Sequence, residues 1–153
     1  MEYAKILPHL FVGSYPSNAE DVEKLRRECG ITAVLNLQTD EDICSRDIAW
    51  ELLEAHYRAC GILLFRVRVR DEVAALREKL PECVRALDRL LEARYMVYLH
   101  CTAGVGRSPT VAIAYLHWCQ GWDLDAAVAY VKERRPCSPN VEAVRLAVWA
   151  SAK

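Results

Sequence analysis

The stretch from Tyr95 to Gly121 constrains this chain most. An apolar run, Tyr95-Met96-Val97-Tyr98-Leu99, leads through His100-Cys101-Thr102-Ala103-Gly104-Val105-Gly106-Arg107-Ser108 into an apolar helical segment that spans Ser108 to Gln120 and stops at Gly121. A strand that is apolar at nearly every position suits a sheet covered on both faces, and the turn directly into a buried helix is the strand–loop–helix unit of α/β architecture.

The rest of the chain repeats that alternation. Ile6-Leu7 and Leu10-Phe11-Val12 flank Pro8-His9 and end at Gly13, which predicts a short irregular strand pair. Asn18 is placed to cap a helix over Ala19 to Glu28, with Val22 and Leu25 on its apolar side and Gly30 as its stop. Thr32 to Leu37 is a nearly continuous apolar strand. From Asp47 to Ala59, Ile48, Leu52, Ala55 and Ala59 stand at helical spacing, and Gly61 closes that helix before a strand over Ile62 to Val69. Val73 to Ala93 forms a long helical segment in which Pro81 either makes a kink or begins the second half. Asp123 and Ser138 are the expected caps of two last helices, the first stopped by Pro136 and the second opened by Pro139. The expected fold is α/β: one domain over residues 1–153, with a central, mostly parallel sheet flanked by helices on both faces.

With 153 residues, 53% of them hydrophobic, the chain can bury one sizeable core. Twenty Lys and Arg against twenty-one Asp and Glu give a formal net charge of -1, so no global field draws it to nucleic acid or anionic lipid, and an anion site has to be built locally. The seven cysteines are odd in number and show neither CxxC pairs nor histidines at zinc spacing. Free thiols in a reducing compartment, and no metal, are expected. The first residues lack the layout of a secretory signal or transit peptide, and no apolar run reaches membrane-spanning length. The expectation is a cytoplasmic protein without nucleic-acid or membrane partners; the sequence carries no signal of oligomeric state.

The loop carries the chemistry. A phosphate dianion needs several donors converging on its oxygens, and the small residues Ala103, Gly104 and Gly106 permit the curvature that exposes backbone N–H groups of Thr102 through Gly106. The following helix points its positive end at both the anion and Cys101, which favours the thiolate and makes Cys101 the expected nucleophile. Pro109 fits the first helical turn, where its missing N–H costs nothing. Ser108 can hydrogen-bond the sulfur and ease its departure. Arg107 offers a planar fork for two phosphoryl oxygens, which lysine cannot reproduce. His100 is better placed to support the loop than to act as a general base, because an ionised thiol needs none. The alternative, a glycine-containing loop with a buried Cys and a surface Arg, leaves the joint occurrence of these residues between a strand and a helix without a reason.

A leaving alcohol needs a proton, and carboxylic acids gather at the carboxyl ends of parallel strands. Asp71, just after the strand that precedes that of Cys101 in sequence, is the expected general acid and later the general base toward water. It could instead cap the helix that starts near Val73; Glu72, Asp40 and Asp42 are the competitors, read mainly as solvated loop charges. A thiol, an arginine and a carboxylic acid complete this chemistry, so no cofactor is expected.

With the His-Cys, five residues, Arg-Ser pattern in view, the sequence resembles the protein tyrosine phosphatase superfamily and its compact dual-specificity phosphatases. Ile6 to Ser14 is similar to that family's opening strand pair, and Arg135-Pro136 with Pro139-Asn140 to its closing motif, which implies loop support from Asn140. A narrower resemblance is to plant starch-excess-type glucan phosphatases. It is carried by Glu20 to Leu25, Leu37-Gln38, Arg70-Asp71, Cys101 to Arg107, Ala112 to Tyr115 with Trp118, and Arg135-Pro136-Cys137. It implies the acid at Asp71, the nucleophile at Cys101 and the arginine at Arg107, and a phosphorylated glucan as substrate. The alternative is a phosphoprotein substrate, with phosphotyrosine and phosphoserine or phosphothreonine accepted. Lysine is absent from Thr102, Ala103 and Val105, which argues against multiply charged inositides. Trp118, Trp122, Tyr115 and Trp50 are the aromatics that could stack on sugar rings; core packing is the competing reading for each. Where the plant pattern has an aromatic after its acid, this chain has Glu72.

Overall fold

The computed structural model describes residues 1–150. Strands β1 (Tyr3–Leu7) and β2 (Leu10–Gly13) form an antiparallel pair whose register slips between Lys5 and Leu7, as the irregular opening pair predicts. Helix α1 (Ala19–Cys29) starts where the Asn18 side chain accepts from the Asp21 N–H and ends at Gly30, whose φ of 65° suits a residue without a Cβ. There follow β3 (Ala33–Asn36), α2 (Asp40–Ser45), α3 (Trp50–Ala59), β4 (Leu63–Arg66), α4 (Val73–Glu92), β5 (Val97–His100), α5 (Arg107–Trp118), α6 (Leu124–Arg134) and α7 (Val141–Leu146). Among the described residues, no helix is long and apolar enough to cross a membrane.

The five strands lie in the order β1-β2-β5-β3-β4, parallel except for β1. Because side chains alternate across each strand, the sheet feeds two separate cores. Leu35, Val97 and Leu99 join Leu80 and Leu87 of α4 and Ile113 and Leu116 of α5, with α6 and α7 completing that layer. Val34 and Tyr98 point the other way, into Val22 and Leu25 of α1 and Leu53 and Tyr57 of α3. Burying each such leucine contributes about 1.5–3 kcal/mol, enough for the apolar strands to fix which helix covers which face.

Four local expectations are corrected. The chain contains α2, opened by a capping box in which Thr39 and Asp42 bond each other's backbone N–H groups. In α3 the inward face is Leu53 and Tyr57; Ile48 precedes the helix, while Leu52 is 75% exposed and Ala55 and Ala59 also face solvent. The strand expected over Ile62 to Val69 is regular only at Leu63–Arg66, on the sheet edge, although the Val67 and Val69 N–H groups still bond the Asn36 and Leu37 carbonyls. Asn140, not Ser138, caps α7, accepting from the Ala143 N–H. Helix α4 continues unbroken through Pro81.

Candidate active site

Residues 101–106 connect the carboxyl end of the central strand β5 to the first turn of α5 as a run of bends without a hydrogen-bonded turn. Their conformation is imposed from outside, through their carbonyls. His100 Nδ1 donates to the Cys101 carbonyl at 2.8 Å, and the Tyr15 N–H to that of Thr102 at 3.0 Å. The Arg135 guanidinium holds the Ala103 and Gly104 carbonyls, each at 3.0 Å. Ser138 N–H takes the Val105 carbonyl at 2.8 Å, and Thr110 Oγ1 takes that of Gly106 at 2.7 Å. Every carbonyl from Cys101 to Gly106 thus has its own donor, so none competes for the N–H groups of the loop. That is the arrangement an anion requires. Gly104 has a φ of 71°, and a Cβ there would collide with the Gly13 backbone and the Arg135 side chain, so this position tolerates only glycine.

Cys101 is buried at the base of this cup, its Sγ 3.3 Å from Ser108 Oγ. Burial lowers His100 to about 4, against the opposing effect of its hydrogen bond to the Cys101 carbonyl, so the imidazole is neutral at ordinary pH. A carbonyl only accepts, so the His100 proton sits on Nδ1, and the ring serves as a fixed donor to the loop.

Arg107 is buried with its guanidinium anchored along one edge. Nη1 donates to Asp42 Oδ2 at 2.7 Å and to the Val69 carbonyl at 2.8 Å, while Nη2 reaches Thr102 Oγ1 at 3.4 Å. Nε is buried and has no hydrogen-bond partner among the described residues. An unpaired buried N–H is costly and rare, and here it lies on the Nε–Nη2 edge that matches two oxygens of a tetrahedral oxyanion. Burial pushes the Asp42 carboxyl up, but the Arg107 and Thr39 hydrogen bonds outweigh it and hold the group below the usual carboxylate range. Asp42 is therefore a charged anchor, not the solvated loop charge expected of it.

Asp71 is well exposed, its Oδ1 4.0 Å from Arg107 Nε. It does not cap α4, because Glu72 occupies the N-cap position, and Glu72 is turned away in an ion pair with Arg70 at 2.8 Å. Asp40 is paired with Arg66 and Arg68. Of the four acidic candidates, Asp71 and Asp42 line the cleft of about 420 Å³ above the loop, together with Ser45, Arg46, Cys101, Thr102, Ala103, Val105, Gly106, Arg107 and Ser138.

Two groups of sequence candidates stand elsewhere. Asn140 reaches the loop through Thr110, whose Oγ1 accepts from the Asn140 N–H while bonding the Gly106 carbonyl. Trp118, at the far end of α5, lies about 16 Å along the axis from Arg107 and stacks on Trp149. Trp122 packs edge-on against Tyr130, and Tyr115 is buried with its hydroxyl bonded by Gln120. Trp50 carries the Arg66 guanidinium over its ring. None of the four lines the cleft. The sequence reading missed Arg135, Tyr15 and Gln38, whose amide donates to Thr102 Oγ1 at 3.1 Å. The resemblance touched two of them, through Leu37-Gln38 and Arg135-Pro136, without giving either a role.

A family model described as the catalytic domain of dual specificity phosphatases matches residues 10–148. The chain is 37% identical over 150 residues to phosphoglucan phosphatase LSF1, chloroplastic, of Arabidopsis thaliana, covering 97% of this chain and 25% of that protein. It is 35% identical over 147 residues to laforin of Mus musculus, covering 89% of this chain and 44% of that protein. The chain thus spans less than half the length of these relatives. Its fold matches the crystal structure of PTPMT1 with a TM-score of 0.77 at 19% identity, covering 95% of this chain and 90% of that one.

Proposed function

This chain belongs to the dual specificity phosphatase family, and from that premise we propose that it hydrolyses phosphate monoesters of glucans through a phosphocysteine intermediate, its catalytic domain extending over residues 1–153. The observation that carries the hydrolytic part is the unpaired Nε of Arg107, which lines one cleft with Cys101 above a loop whose carbonyls all have donors of their own. A phosphoryl group seated on the loop N–H groups and the Nε–Nη2 edge presents phosphorus to Cys101 Sγ. Sulfur attacks in line, the S–P bond forms, and the P–O bond to the alcohol breaks as Asp71 gives that oxygen its proton. Water then attacks the phosphocysteine, Asp71 carboxylate takes the water's proton, and Ser108 hydrogen-bonds the departing sulfur as inorganic phosphate leaves. The developing charge is met by donors already in place, which is where such a site gains most of its rate.

Asp71→Asn tests the proton's source. Turnover of alkyl phosphates, whose leaving oxygens need protonation, is expected to fall about 10²- to 10³-fold, with a much smaller loss on an aryl phosphate of low leaving-group basicity. Equal losses on both would assign the acid to another group.

The glucan part rests on the similarity to a named phosphoglucan phosphatase and on the cleft wall, where Ser138 carries a hydroxyl. One observation favours the second reading, a dual-specificity protein phosphatase: among the described residues, no aromatic lines the cleft as a platform for a sugar ring. Phosphate release from amylopectin, glycogen and phosphopeptides, measured side by side, decides between them. Greater release from amylopectin than from phosphopeptides is expected, and equal or lower release sinks the glucan assignment. A reducing, cytoplasmic setting belongs to the same proposal, supported by seven free cysteines.

A further inference from the structure

On the sheet face opposite α5, the phosphatase reading leaves a cluster of chemically potent groups unused. Glu23 of α1 faces His56 of α3 and Cys60, which caps that helix. Glu23 Oε1 lies 3.0 Å from His56 Nε2 and 3.4 Å from Cys60 Sγ, and Sγ lies 3.5 Å from Nε2. His56 and Cys60 are four residues apart, so successive turns stack them on one side of the helix.

We propose that Glu23, His56 and Cys60 form a zinc site. Zinc binds nitrogen and carboxylate oxygen at about 2.0–2.1 Å and thiolate at about 2.3 Å, so donors on a tetrahedron stand roughly 3.3–3.6 Å apart. The sulfur-to-oxygen and sulfur-to-nitrogen separations fall in that range, and the oxygen-to-nitrogen separation needs only a small opening. A soft thiolate, a borderline imidazole and one hard carboxylate select zinc over magnesium or calcium, which take oxygen shells. No fourth protein donor joins the cluster among the described residues, and both His56 and Glu23 are partly exposed, so the fourth position opens to water. On binding, the Cys60 thiol proton passes to solvent and the sulfur–zinc bond takes its place. Arg26 Nη1 now bonds both Glu23 oxygens at 3.0 Å. It is exposed enough to withdraw from Oε1 while keeping Oε2, the orienting contact typical of a carboxylate ligand. The ion ties α1 to α3 and has no contact with the cleft.

The test uses the full chain, freed of metal with a chelator and titrated with Zn(II) and with Co(II) as a spectroscopic stand-in. One equivalent is expected to bind, and Co(II) to give a thiolate-to-metal charge-transfer band that survives Cys101→Ser and disappears in Cys60→Ser. Glu23→Gln keeps the side chain's shape and is expected to weaken Zn(II) binding at least about tenfold, with circular dichroism confirming that both variants fold. Absence of stoichiometric binding, a band that persists in Cys60→Ser, a band lost only in Cys101→Ser, or unchanged affinity in Glu23→Gln would each overturn the site.

Discussion

Cys101→Ser is expected to lower kcat on a generic aryl phosphate by about 10⁴-fold or more, the scale seen when a nucleophile is removed from a unit that works only as a whole. Serine is nearly isosteric, and the loop around it is held by groups that do not depend on the sulfur: His100, Tyr15, Arg135, Ser138 and Thr110 all bond carbonyls. The N–H cup and the Nε–Nη2 edge of Arg107 therefore survive. A hydroxyl is far harder to ionise than a thiol, so attack on phosphorus stops while anion binding stays. Calorimetric titration with tungstate or phosphate should give an affinity close to that of the native protein, with turnover gone. Turnover near the native rate would remove Cys101 as nucleophile; lost binding together with lost turnover would mean that the sulfur also shapes the loop.

The parts of this site that were legible in the sequence are those in which one local segment does the whole task. Val97 to Leu99, the small residues of the loop and the apolar helix after it lie consecutively, and each has a residue type that the geometry demands. The clamp on the loop carbonyls is different. Arg135 comes from the end of α6, Tyr15 from beyond β2 and Ser138 from beyond α6, and apart from the family resemblance at Arg135-Pro136 nothing local marks them as partners of a loop more than thirty residues away from each in sequence. Asp42 was read as a loop charge because its bond to Arg107 spans 65 residues and no local pattern announces it. Periodicity failed in α3 because Leu52 and Leu53 are adjacent, and either can begin an apolar stripe; only the packing of Leu53 against the α1 side of the sheet decides between them. The aromatics were legible as aromatics but not as positions. A tryptophan at the end of α5 remote from the loop has the same helical context as one beside it. The Glu23, His56 and Cys60 cluster escaped a search for zinc spacing for a like reason, since one ligand stands on another helix 33 residues before the second.

Arg107→Lys is expected to cost about 10³-fold in kcat, within the range that a transition-state arginine supplies to phosphoryl transfer, with a smaller change in KM. The charge is kept, so the loss measures geometry. A lysine ammonium reaching the same place could satisfy either Asp42 and the Val69 carbonyl or the phosphoryl oxygens, because its donors radiate from one nitrogen. The native guanidinium has donors for both: Nη1 is committed to Asp42 and Val69, while Nε on the opposite edge has no hydrogen-bond partner among the described residues and carries a desolvation cost that a bound oxyanion would relieve. Since the two equatorial oxygens spread as phosphorus becomes trigonal, the fork is engaged most fully in the transition state, and its removal lowers kcat more than binding. Asp42→Asn separates anchoring from charge. Asparagine can still accept from Nη1, so the guanidinium keeps its orientation, and the variant should retain much more activity than Arg107→Lys, with Asp42→Ala falling between them. Steady-state kinetics on one aryl phosphate read all three variants. An Arg107→Lys protein that turns over at the native rate, or one that loses only KM, would show that the Nε–Nη2 edge is not where the transferring phosphoryl group sits.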